Sequence, residues 1–110
     1  FLLEMRDALG KQARFVLDIK QAVRSGEDPF AMLRGLNSHI VHVHISDHGE
    51  YGDCLPLGKG RFRFDAFLKE LAAVSPDCSV ILELYRSGFS DVAELAANYT
   101  LLRNRIEGKR

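Results

Sequence analysis

A chain of 110 residues with 46% hydrophobic and 27% charged residues has the composition of an ordinary folded domain, which excludes collagenous, disordered and low-complexity classes. Fifteen Lys and Arg balance fifteen Asp and Glu, so no net field attracts a polyanion and nucleic acid is not expected as a partner. The longest apolar runs, 40–45 and 79–84, are strand-sized and fall short of the roughly 20 residues of a membrane span, so no membrane is expected either.

Leu2, Met5, Ala8 and Leu9 recur at helical spacing in a segment opened by Phe1, and Gly10 follows at the C-cap position. No initiator Met, N-cap residue or basic-then-apolar leader precedes this helix, so the chain reads as cut from something longer. Phe15-Val16-Leu17 is a β-prone run that stops in Asp18 and predicts a buried strand. Residues 19–24 predict a helical turn broken by Ser25-Gly26-Glu27. Asp28-Pro29 then supplies a cap and a first-turn proline for a helix over 30–36, with Phe30, Leu33 and Leu36 inward.

Ile40-Val41-His42-Val43-His44-Ile45 is β-branched and predicts the second strand, with both histidines on one face. From Ser46 to Arg63 the chain contains Gly49, Gly52, Pro56, Gly58 and Gly60, too punctuated for a periodic element, and a loop of that length in a compact domain is usually functional. Asp65 is placed to cap a helix through Val74 that Ser75-Pro76-Asp77 stops, and Val80-Ile81-Leu82 predicts a third buried strand ending in Glu83. Ser90 or Asp91 starts a last helix with Leu95, Tyr99, Leu102 and Ile106 as its stripe, and 108–110 form a fraying tail. Cys54 and Cys78 form no Cys-x-x-Cys pair and are read as a loop thiol and a strand-edge residue, which favours a reducing, cytoplasmic setting.

Apolar strands alternating with amphipathic helices predict a parallel α/β sheet with right-handed crossovers. All C-terminal strand ends of such a sheet share one edge, so Asp18, His44 and Glu83 converge there. Two carboxylates and an imidazole suit a divalent cation. The plainer alternatives are concrete: Asp18 as a helix cap, and His42, deeper on the strand, as a hydrogen-bonded neighbour rather than a contact to substrate or metal. Glu83, flanked by Leu82 and Leu84, calls for a partner. Leu57-Gly58-Lys59-Gly60 lacks the full phosphate-loop pattern, although Lys59 can meet an anionic group.

The segments Leu17-Asp18-Ile19-Lys20-Gln21-Ala22, Val41-His42-Val43-His44-Ile45-Ser46-Asp47, Leu55-Pro56-Leu57-Gly58-Lys59-Gly60 and Ile81-Leu82-Glu83-Leu84-Tyr85 together resemble the last three strands of the xylose-isomerase-like TIM-barrel superfamily. That superfamily includes sugar-phosphate isomerases and epimerases and the endonuclease IV type of repair nuclease. The resemblance implies that residues 1–110 are the C-terminal part, about three βα units, of a (β/α)8 barrel. It implies Asp18, His44 and Glu83 as metal ligands at the ends of the sixth, seventh and eighth strands, with a fourth, a Glu, upstream. Mn2+ is the foremost cation implied, with Mg2+, Co2+ or Zn2+ as alternatives.

Glu83 would also be the catalytic acid/base, moving a proton beside a sugar carbonyl. His42, Lys20, Gln21 and Lys59 would meet a sugar or sugar phosphate, and homo-oligomerisation stays open. Gln21 stands where epimerases often carry a substrate-contacting His. Asp53-Cys54-Leu55 lacks the His of the Asp-x-His pair that endonuclease IV relatives use for a further zinc, which weakens the metal-dependent phosphodiesterase alternative. A truncated or partner-completed binding module without catalysis is the remaining alternative.

Overall fold

The computed structural model of the chain describes residues 2–50 and 52–109. Phe1, Tyr51 and Arg110, which the sequence reading assigns to the first helix, the long loop and the tail, lie outside the described residues. Three short strands, β1 (Phe15–Asp18), β2 (Ile40–Ile45) and β5 (Ser79–Leu82), pair in parallel in the order β1-β2-β5. Helices α1 (Leu2–Leu9), α2 (Ile19–Arg24), α3 (Pro29–Leu36), α4 (Phe64–Val74) and α5 (Val92–Lys109) alternate with them, as the apolar periodicity predicts. Among the described residues, no helix is long and apolar enough to cross a membrane.

The register fixes which side chains share a face. Leu17, Val43 and Val80 are aligned, Ile45 and Leu82 follow, and this face packs on Ile19, Met32, Leu33, Leu36, Phe67, Leu68 and Leu71. Val16, His42 and Ser79 form one row of the opposite face, and Asp18, His44 and Ile81 form the next. Burial on both faces, expected from the apolar strands, is not what the structure shows. Val16 is 51% and Ile81 52% exposed, because among the described residues the helices cover only the first face. The third strand is therefore half-buried rather than buried.

The capping chemistry read from the sequence is largely realised. Asp18 accepts from the Gln21 N–H at 3.0 Å to start α2, and Asp28 accepts from the Phe30 N–H at 3.0 Å ahead of Pro29. Before α5, Asp91 accepts from the Glu94 N–H at 2.9 Å while Glu94 accepts from the Ser90 N–H at 2.8 Å, a reciprocal cap. Helix α4 begins two residues earlier than expected. It begins at Phe64 after Arg63, which makes no side-chain cap, and Asp65 lies in the first turn, where its carboxylate still complements the N-terminal dipole.

The segment 46–63 is not a featureless loop. Asp47–Gly49 (β3) and Gly52–Leu55 (β4) pair antiparallel into a hairpin, and the chain beyond it buries Leu57 and Phe62. The Phe62 ring lies 5.5 Å from Phe67 and 6.1 Å from Phe30, so the loop is fastened to the core by aromatic packing.

The stripe of α5 also differs from expectation. Tyr99 is 56% exposed, and Asn98 turns inward instead, accepting from the Leu57 N–H at 3.0 Å and donating to the Leu57 carbonyl at 2.9 Å. Burial of both Leu57 polar groups leaves them no other partner of equal quality. The helix continues through Gly108 to Lys109 rather than fraying there. Asn98→Leu is expected to destabilise the chain by about 2–4 kcal/mol, because two backbone groups lose their partner. Urea unfolding at unchanged slope measures it, and a loss under about 0.5 kcal/mol would show that water replaces Asn98.

Candidate functional site

At the C-terminal edge of the sheet three side chains of the uncovered face meet. Asp18 ends β1, and His44 stands beside it in register on β2. Glu83 follows β5, its N–H donating to the Ile45 carbonyl at 2.9 Å so that the ladder runs one residue past the strand. Period-two alternation then puts Glu83 on the face of Ile81 and His44. One ligand atom of each lies within 4.8 Å of the others, and all three side chains are half-buried.

The two carboxylates are held in the same way. Asp18 uses Oδ1 to cap α2 and turns Oδ2 toward His44 Nδ1 at 3.6 Å. Glu83 holds the Lys20 ammonium at 3.0 Å and the Cys54 thiol at 3.4 Å on Oε1, and turns Oε2 toward His44 Nδ1, again at 3.6 Å. Each carboxylate is thus oriented by one oxygen and offers the other to the same point. Asp18 is both the cap and the candidate ligand; its two oxygens make these compatible.

The separations suit a cation better than direct hydrogen bonds. At 3.6 Å the imidazole is beyond a good hydrogen bond to either oxygen. Metal–ligand lengths of about 2.0–2.2 Å give donor–donor edges of about 3.0–3.4 Å, so Asp18, His44 and Glu83 would hold one divalent ion by drawing together from their separations of up to 4.8 Å. One nitrogen and two oxygens form a borderline-hard donor set that fits Mn2+, Zn2+ or Mg2+ chemistry.

The electrostatics follow from the same contacts. Lys20 holds the Glu83 carboxyl below the usual carboxylate range, outweighing partial burial, and Glu83 in turn raises the Lys20 ammonium. Burial pushes the Cys54 thiol up, so it stands beside Glu83 as a neutral donor rather than a thiolate. Farther along α2, Arg24 forks onto Asp53 at 2.5 and 3.2 Å, reaches the Tyr85 hydroxyl at 2.7 Å, and draws the Asp53 carboxyl down. Cys78, away from the site, is raised to about 11 by burial alone.

Of the remaining residues singled out from the sequence, Lys20 is in the site but paired to Glu83. His42 lies next to it: its ring stands edge-on to His44 with centroids 4.8 Å apart, and its Nδ1 is hydrogen-bonded to the Ser79 hydroxyl at 2.6 Å. Gln21 is exposed, holds Asp18 through its backbone, and lines a cavity of about 310 Å³ with Asp18, Leu17 and Val16. Lys59 is exposed on a turn closed by its N–H to the Pro56 carbonyl, outside the three-residue group.

Sequence reading missed two residues. Cys54, read as a loop thiol, is fully buried on β4 and touches Glu83, with a left-handed φ of 52° at the irregular end of the hairpin. Asp47 is also buried, and its carboxylate accepts from the His48, Gly58 and Phe62 N–H groups, each at 2.8 Å. The glycine pair flanking a two-residue gap at 49–52 was the available hairpin signal. No local pattern announces the Asp47 hub, since its partners lie up to fifteen residues away.

Compared with known families, the chain matches the model described as xylose isomerase-like TIM barrel over residues 2–105. No curated protein and no solved structure gives a significant match.

Proposed function

The chain belongs to the xylose isomerase-like TIM-barrel family, and from that premise we propose that it serves as a sugar phosphate isomerase/epimerase-like protein, moving a proton beside a sugar carbonyl with a divalent cation, Mn2+ first among the candidates. The observation that carries this reading is the convergence of Asp18 Oδ2, His44 Nδ1 and Glu83 Oε2 at the sheet edge, each carboxylate anchored through its other oxygen. In barrels of this kind, side chains at C-terminal strand ends carry the chemistry, while the strand interiors carry stability. Three strands do not close a barrel, so the activity is proposed for the barrel to which they contribute.

A divalent cation bound at the three donors supplies a Lewis acid that makes the C–H next to a carbonyl more acidic. The residues do the rest. Asp18 and His44 would hold the cation at the ends of β1 and β2. Glu83, kept ionised by Lys20, is the base: its carboxylate accepts the proton and returns it. His42, hydrogen-bonded to Ser79, stands edge-on to His44 on the same face of the sheet and walls it there.

The test is calorimetric titration of the chain with Mn2+, followed by incubation of the complete barrel that contains it with a panel of aldoses, ketoses and their phosphates in deuterium oxide. One Mn2+ per chain and deuterium entering the carbon beside the carbonyl are expected. Absence of saturable Mn2+ binding would overturn the metal centre. Binding without exchange on any sugar would overturn the isomerase reading.

A further inference from the structure

The Lys20–Glu83 pair is built into the fold more firmly than a surface ion pair. The Lys20 side chain is only 12% exposed, and its Nζ sits 3.0 Å from Glu83 Oε1. Its ammonium also lies 5.5 Å from the centroid of the Tyr85 ring. That ring is fixed in turn by Arg24, one turn later on α2, which lies 5.7 Å from its centroid and bonds its hydroxyl. Beyond Glu83, the Tyr85 N–H donates to the Cys54 carbonyl at 3.2 Å, tying the segment to β4. Lys20 therefore has little freedom to leave, and the oxygen it holds cannot rotate toward His44.

A fixed ammonium beside a ligand carboxylate has two opposing effects. Without a cation it neutralises one of two carboxylates that face each other across His44, relieving their repulsion. With a cation it adds a like charge a few ångströms from the ion, which weakens loading. Resting on the metal-centre reading above, we propose that Lys20 is an internal counter-cation that holds Glu83 ready in the metal-free protein and sets how weakly the divalent ion is held. It is a positioning residue that leaves the site exchangeable, rather than a group that grips substrate.

The experiment compares Lys20→Met, Lys20→Gln and Lys20→Arg with the unsubstituted chain, using Mn2+ calorimetry and thermal melting with and without Mn2+. Lys20→Met is expected to lower the metal-free melting midpoint yet tighten Mn2+ binding at least about tenfold, so that Mn2+ raises its midpoint more than it does for the unsubstituted chain. Lys20→Gln, which keeps a neutral hydrogen-bond donor, gives the same sign if Lys20→Met fails to fold. Lys20→Arg restores the affinity to within about twofold.

A residue with only a structural role would lower both midpoints equally and leave the Mn2+ affinity unchanged, and that result overturns the proposal. Weaker Mn2+ binding in Lys20→Met also overturns it, because orientation of Glu83 then outweighs charge. An unsubstituted chain that binds no Mn2+ overturns the metal-centre reading itself and the counter-cation role with it. Saturable binding that is insensitive to the Lys20 charge overturns the counter-cation alone.

Discussion

Asp47→Ala is expected to destabilise the chain by about 3–5 kcal/mol, the effect of removing a buried carboxylate on which several backbone donors depend. Asp47 is 1% exposed, and its two oxygens accept three N–H groups from His48, Gly58 and Phe62. Alanine leaves those donors buried with nothing to bond. The neighbourhood has no slack to rearrange: a Cβ on Gly60 would stand 2.3 Å from the His48 carbonyl oxygen and 2.6 Å from Asp47 Oδ1, so the chain crosses itself there at backbone contact distance. Urea unfolding measures the loss.

The consequence reaches the site. Without the hub, the β3–β4 hairpin loosens and the Cys54 thiol leaves Glu83, so labelling of Cys54 by a thiol reagent should accelerate in native conditions. Asp47→Asn should cost less than alanine, because one oxygen still serves the two donors bound to Oδ1 while its amide faces the Gly58 N–H. A penalty below about 1 kcal/mol for Asp47→Ala would show that the loop is held mainly by Leu57 and Phe62.

His44→Ala is expected to abolish Mn2+ binding, lowering affinity by more than about 100-fold, while changing stability by about 1 kcal/mol or less. The asymmetry follows from its contacts. His44 is the one donor common to both close approaches, to Asp18 and to Glu83 at 3.6 Å each, so its removal leaves two carboxylates without the neutral ligand between them. Yet it is half-buried on the uncovered face and makes neither approach short enough for a strong hydrogen bond, so the fold depends on it little. Mn2+ calorimetry and the melting midpoint separate the two effects. An unchanged metal stoichiometry would remove His44 from the centre. His42→Ala is the control: it removes the neighbouring ring and its Ser79 partner but no ligand.

The parallel strands β1, β2 and β5 were legible because each is a short apolar run bounded by caps and breakers, and residues with so few alternatives declare themselves locally. Asp18, His44 and Glu83 were legible for a related reason. A titratable residue at the end of an apolar strand is conspicuous, and parallel topology places all such ends at one edge. Asn98 was hidden behind Tyr99, since helical periodicity cannot distinguish neighbouring positions when the inward residue is polar and its partner, Leu57, comes from a distant turn.

From its residues alone the chain determined where the strands of the parallel sheet and the helices lie, how α2, α3 and α5 are capped, and which ionisable groups stand at the strand ends. These are set by interactions within a few residues, for which sequence spacing is a sufficient description. Tertiary structure decided that Asp47 is a backbone hub, that Cys54 sits against the carboxylate, that Lys20 serves Glu83, and that one face of the sheet is left open. Those outcomes depend on the desolvation and approach of groups far apart in the chain, and the same Lys or Asp is equally at home in water until the fold removes the water from around it.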